Sequence, residues 1–259
     1  MAVEQLIPQT TPGAQISETE AASHRLAIPA SEQASYRLAQ LDDYGRRRRA
    51  DFPWQAPASF SLQARASQVE IPGTWGFGVW NDPFSFKIGF GGSHWLPALP
   101  NAAWFFFASP PNYLSLRNDL PADGALAAVF RAPRIPTWVF APALVGLPLL
   151  LVPPAARLAR RLASQIAKED SARLELDPTI WHRYRLDWSA DRVEFYLDDQ
   201  LTFSTSLVPQ GPLGFIIWID TQFAAWTPNG RLKYGTLPSP ANWIEFKEFS
   251  IQSGIPEIG

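Results

Sequence analysis

The chain contains no cysteine. That absence excludes disulfide staples, thiolate-bound zinc and a thiol nucleophile, and it leaves the redox compartment unread. Histidine is scarce as well. His24, His94 and His182 stand far apart, without the His-x-x-x-His spacing that sets two imidazoles on one helix face. No metal or cofactor is expected from such a set. An excess of one charge is also missing: 22 Lys and Arg against 24 Asp and Glu leave a net charge of −2. No global field therefore favours nucleic acid.

Hydrophobic runs of membrane length are lacking too. Residues 1–15 show no basic segment leading into an apolar run, so no secretory signal is expected and a cytoplasmic location is the default. The conspicuous apolar stretch, Thr137 to Val152, falls short of the ~20 residues a helix needs to cross a bilayer. Pro142 and Pro148 interrupt it.

What is abundant is aromatic rings and proline: 11 Trp, 17 Phe and 25 Pro in 259 residues. Many aromatics broken by many prolines suit strands joined by turns better than a helical bundle. The length fits one large β domain or two small ones. Residues 1–33, rich in Ala, Ser, Thr, Gln and Pro, read as a mobile or surface-hugging arm. Residues 34–259 read as the folded domain.

Period-two alternation marks the strands. It begins at Tyr36, Leu38 and Gln40, and recurs at Phe60, Leu62, Ala64 and Ala66, then at Phe84, Phe86, Ile88 and Phe90. Phe77 to Trp80, Ala103 to Phe107 and Leu213 to Asp220 are apolar on both faces, as central strands covered on two sides would be. Tyr184, Leu186 and Trp188 lead through Ser189 to Asp191 into Val193, Phe195 and Leu197, a hairpin. Ile244 and Phe246 have the opposite parity to Phe249 and Ile251, which predicts a bulge near Lys247 or Glu248. One helix is predicted: in 155–168, Leu158, Leu162 and Ile166 form an apolar stripe, with Arg157, Arg160, Arg161 and Lys168 opposite. Short strands at regular spacing with one inserted helix argue for a sandwich or barrel.

The segment from Ile180 to Asp199 narrows this. His182, Tyr184, Trp188, Phe195, Tyr196 and Asp198 resemble the late strands of family 16 glycoside hydrolases and of the wider concanavalin A-like lectin/glucanase superfamily. Phe60 to Trp80 and Ile244 to Ile251 match further strands in order. Asp199 stands where the family usually has glycine. The resemblance covers roughly 35–134 and 173–252. It implies an all-β, two-sheet jelly-roll sandwich carrying an insertion at 136–172, an apolar hairpin plus the amphipathic helix. Retaining family members carry a Glu-x-Asp-x-x-Glu strand whose two carboxylates stand about 5 Å apart. The corresponding stretch here, Ala103 to Leu116, has no Asp or Glu; Trp104, Phe105, Phe106, Phe107 and Tyr113 occupy it. Family-type hydrolysis is therefore not expected.

The expected function is ligand binding on an aromatic-lined concave sheet, the ligand being a carbohydrate or an apolar small molecule. Flat aromatic faces stack on pyranose rings at low entropic cost. The expected contacts are Trp80, Asn81, Trp104, Phe106, Asn112, Tyr113, Trp218 and Gln222, with Arg117 a further donor. An alternative is relocated acid–base chemistry through His182, Asp82, Asp220 or Tyr113, with Glu70 as another carboxylate near the glycine-rich Trp strand. Each also has a plain structural reading: Glu70 as a surface residue, Asp82 as a turn cap, His182 as a bonded structural histidine. The Arg46 to Arg49 run reads as a solvated turn. Residues 136–170 read either as a lid burying Leu149 to Val152 and the Leu158 stripe, or as a peripheral membrane or partner contact.

Overall fold

The computed structural model describes residues 3–19, 23–32, 35–84, 94, 96–140 and 149–255. Two seven-stranded antiparallel sheets form a sandwich. The strands are β1 (Ile7–Thr10), β2 (Gln15–Glu18), β3 (His24–Ile28), β4 (Leu38–Asp42), β5 (Ala58–Ala66), β6 (Thr74–Trp80), β7 (Ala102–Ala108) and β8 (Gly124–Arg131). After the helix α1 (Pro153–Ile166) follow β9 (Lys168–Arg173), β10 (His182–Trp188), β11 (Val193–Leu197), β12 (Gln200–Thr205), β13 (Gly214–Asp220), β14 (Gln222–Trp226), β15 (Leu232–Thr236) and β16 (Asn242–Ser253). One sheet runs β1-β4-β13-β6-β7-β8-β9, the other β12-β11-β10-β5-β16-β3-β2, and β14 pairs with β15 apart from both.

The core lies between the sheets. Alternate residues of β13 (Phe215, Ile217, Ile219), β6 (Trp75, Phe77, Val79) and β7 (Ala103, Phe105, Phe107) meet Phe60, Leu62, Tyr184, Leu186, Trp188, Phe195 and Phe246 from the opposite sheet. The other alternate residues of the same three strands are also buried, save the half-buried Trp104. Ile216, Trp218, Trp80 and Phe106 belong to a second apolar cluster with Tyr44, Phe52 and Phe130. That second cluster explains why these strands are apolar on both faces: a sheet side chain alternates by two, so each face needs its own hydrophobic set.

The outside of the second sheet is polar by contrast. Glu245, 2% exposed, accepts from Arg25 at 2.6 Å and Arg65 at 2.7 Å, and Trp243 lies beneath both guanidinium groups. The predicted bulge in β16 is present: its register against β5 shifts between Lys247 and Ser250, where Glu248 takes a left-handed φ of 52°. The hairpin between β10 and β11 pairs as expected.

Three expectations need correction. The described residues of 1–33 form no arm. β1 and β2 extend the two sheets and β3 pairs with β16, burying Leu26 and Ile28 in the core. Their polar composition misleads because edge strands need only every second residue apolar. Arg49, expected in a solvated turn, reaches instead across the loop to the carbonyls of Asn81, Asp82, Phe84 and Leu96. The lid is also absent in the form expected. Leu149, Leu151, Val152, Leu158, Leu162 and Ile166 are all exposed, while α1 buries Ala156 and Arg160. The apolar hairpin of 136–152 falls partly outside the described residues, and its beginning, Thr137–Phe140, is a 3-10 turn. The alternating strand predicted at 84–90 also lies almost wholly outside them.

Candidate functional site

The outer face of the first sheet holds the aromatic floor. Register places Gly76 of β6 between Trp218 of β13 and Phe106 of β7, and Gly78 between Ile216 and Trp104. The glycines make this layer possible. A Cβ on Gly76 would stand 2.9 Å from the Trp218 ring, and one on Gly78 would stand 2.5 Å from Trp104 Cα. Each large ring thus leans over a neighbour that has no side chain. Trp104 lies 5.7 Å from Trp80, 5.7 Å from Trp218 and 5.5 Å from Phe106, centroid to centroid.

A cavity of about 70 Å³ opens on this floor. Tyr36, Leu38 and Gln40 form one wall. Trp80, Phe84, Trp104, Phe106, Ile216 and Trp218 form the base, and Asn112, Leu114, Gln222, Phe223 and Ala224 the far side. At about 10–15 Å³ per enclosed water, that is room for roughly five waters. Gln222, Phe223 and Ala224 reach it because β14 follows directly on β13. Asn112 fixes the hairpin there: its side chain donates to Gly73 O and Ser109 O and accepts from Ala224 N.

Asp220 and Thr74 close one end of the cavity. Asp220 Oδ1 accepts from the Thr74 hydroxyl at 2.9 Å, from Thr74 N at 3.3 Å and from Gln222 N at 3.1 Å. Trp218 Nε1 donates in turn to Thr74 Oγ1 at 3.0 Å. Asp220 Oδ2 has no protein hydrogen-bond partner among the described residues. Burial raises the carboxyl to about 7; the bonds from Thr74 and Gln222 favour the anion but do not offset the lost hydration. Burial, with the Asp220 charge second, also pushes the Tyr36 hydroxyl well up.

Of the expected contacts, Trp80, Trp104, Phe106, Asn112, Trp218 and Gln222 come together around the cavity, as does Asp220 from the acid–base set. The remaining candidates lie elsewhere. Asn81 ties a neighbouring loop, donating to Leu99 O and accepting from Asn101 N. The Tyr113 ring sits beneath the Arg160 guanidinium at 5.3 Å, and its hydroxyl donates to Arg117 O. Its chain neighbour Asn112 faces the cavity, so adjacent residues diverge. Arg117 pairs with Asp119 at 2.6 Å. His182 belongs to β10 of the other sheet and bonds Asp198 at 2.7 Å and Asp177 O at 3.0 Å. Asp82 is buried against His94 Nδ1 at 2.6 Å, in a left-handed turn of φ 47°. Glu70 is exposed. Tyr36, Thr74 and Gln40 were not anticipated. Thr74 is placed by a register that brings it level with Asp220, and no local motif announces it.

No family model matches the sequence, and no curated protein does. Solved structures do resemble the chain. An endo-β-1,4-glucuronan lyase from the fungus Trichoderma reesei superposes with a TM-score of 0.52 at 11% identity, over 96% of this chain and 90% of that one. A β-glucanase from Bacillus licheniformis gives 0.47 at 12% identity, over 97% and 93%. A family 16 glycosyl hydrolase protein from Mycobacterium smegmatis gives 0.46 at 11%, over 87% and 75%. At these identities the agreement is one of fold. The chain has the two-sheet antiparallel jelly-roll fold, as its late-strand motif implied.

Proposed function

We propose that this protein binds a carbohydrate without hydrolysing it, taking one sugar ring into the aromatic cavity beside Asp220. The carrying observation is the single carboxyl there. Glycosidic hydrolysis uses two, about 5 Å apart when retaining and ~6.5–9.5 Å when inverting. β7 holds Trp104 and Phe106 in place of an acid pair, and Asp220 is the sole carboxylate among the described lining residues. The half-buried face of Trp104 offers a surface for the apolar side of a ring. Asp220 Oδ2 offers a hydroxyl partner. The cavity's volume supports one ring rather than a row of subsites.

Titration calorimetry against glucan oligomers, and separately against a panel of apolar ligands, tests this. Saccharide binding that weakens about tenfold in Trp104→Ala, ~1.4 kcal/mol, is the expected result. Binding of apolar ligands alone would replace the sugar by a small hydrophobic molecule.

A second reading rests on the raised Asp220 carboxyl, since a group titrating near 7 suits acid–base work at neutral pH. Turnover of a glucan that Asp220→Asn abolishes would favour it over the binding reading.

A further inference from the structure

α1 is amphipathic the wrong way round for a helix packed on a core. Its inward face is Ala156, Arg160 and, just past its end, Ala167. Arg160, 3% exposed, donates to the carbonyls of Trp226 and Arg117. Trp226 Nε1 donates back to Ala156 O at 3.1 Å. These bonds pin the helix by a polar and small-residue face. Its aliphatic stripe is thereby turned outward: Leu158 is 59% exposed, Leu162 50% and Ile166 46%, and Leu151 before the helix 71%. Trp138, earlier in the same insertion, is 70% exposed. None of these residues lines the cavity.

Charge identifies the occupant of this face. From Gly124 to Lys168 the chain has no Asp or Glu, yet it carries Arg131, Arg134, Arg157, Arg160, Arg161 and Lys168, within a protein of net charge −2. Of these, Arg157 and Arg161 project from the exposed part of α1, and Lys168 follows its end. At 100° per residue Arg157 and Arg161 fall along one flank of the Leu158–Leu162–Ile166 stripe, while Lys168 opens β9 just beyond the helix. A second copy of the chain docking by this face about a two-fold axis would bring like charges together. An anionic bilayer would neutralise them and take up the aliphatic side chains.

We propose that α1 and the residues leading into it, Leu149–Val152, form a peripheral docking face for anionic phospholipid membranes. The helix lies in the interface with its leucines among the acyl chains and Arg157, Arg161 and Lys168 at the phosphates. It is too short and too charged to span, and no helix among the described residues is long and apolar enough to cross a membrane. This inference is independent of the aromatic cavity.

The test is co-sedimentation of the full chain with vesicles of one part phosphatidylglycerol to two parts phosphatidylcholine, and with phosphatidylcholine alone. Sedimentation with the anionic vesicles only, weakened by rising salt, is expected. Leu158→Ser/Leu162→Ser and Arg157→Glu/Arg161→Glu should each lower it about tenfold or more, ~1.4 kcal/mol. Circular dichroism melts of both variants should match the parent, because all four side chains are exposed. Should either variant melt early, Leu158→Gln and Arg161→Gln repeat the measurement singly. Failure to sediment with anionic vesicles, or undiminished sedimentation of both double variants, would overturn the proposal. So would a dimer in light scattering that Leu158→Ser/Leu162→Ser dissociates.

Discussion

Two neighbours on β7 show how one residue step moves a side chain from the core to the cavity face. Phe105 points between the sheets, fully buried, with ring centroids 5.0 Å from Tyr184, 5.2 Å from Phe195 and 5.5 Å from Phe77. Phe105→Ala is expected to cost about 3–5 kcal/mol in urea denaturation, the range for emptying an aromatic site in a core. Trp104 points the other way, is half-buried, and its loss should be felt mainly in ligand titration. Asp220 carries the pH dependence. Its folded pKa of about 7 lies above its ordinary value of 3.8. The folded state therefore holds the proton more tightly than the unfolded chain, and stability falls as pH rises from about 4 through 7. Asp43, raised by burial to about 6, contributes with the same sign over a narrower window. Asp220→Asn should flatten the decline measured by denaturation at stepped pH, leaving the share due to Asp43 and to Asp42, which burial also raises. An unchanged slope would mean that the Asp220 carboxyl is better hydrated than its burial implies.

Among the elements, β6 is the most constrained. It pairs with β13 and β7 and supplies core on one face and floor on the other. Its glycines occupy the floor positions, and at Gly78 an added Cβ would meet Ala103 O at 2.4 Å as well as Trp104 Cα. Those are backbone atoms, so no rotamer change relieves the contact. Gly78→Ala is expected to destabilise by ~1–3 kcal/mol, as overpacking does, with altered tryptophan fluorescence reporting displacement of Trp104. α1 presents the opposite case. The leucine period was plain in the sequence and the helix formed where it was predicted. Which way the stripe faced was decided by Arg160, whose bonds to Trp226 and Arg117 carbonyls come from segments far along the chain.

At the scale of the molecule, the first strands are structural members of both sheets. β3 covers one edge of β16, and β1 covers one edge of β4. Removing residues 1–29 would uncover both edges and expose core positions beside β3 such as Ile244 and Phe246. The truncated chain is expected to lose its cooperative melt and to aggregate by light scattering, as unprotected sheet edges do. A truncated chain that stayed monomeric and melted like the parent would return residues 1–29 to the status of an appendage.

The sequence alone determined the strands, the helix and the β16 bulge, because each of these is written in local periodicity; the likeness of the late strands narrowed a sandwich or barrel to a sandwich, and Trp80, Trp104 and Trp218 were singled out by their order in the chain. Side-chain alternation by two sorts Trp104 from Phe105 without reference to any partner strand. The sequence also showed that Ala103 to Leu116, the stretch that resembles the acid-bearing strand of family 16 enzymes, holds no Asp or Glu. Tertiary structure decided the rest. It joined Asp220 to Thr74 across a strand pair, sent His182 to the opposite sheet, took Tyr113 and Asn81 out of the cavity, and turned the leucines of α1 outward. Those outcomes depend on register and on hydrogen bonds between residues up to 146 positions apart, and such pairings leave no mark in the neighbourhood of either residue.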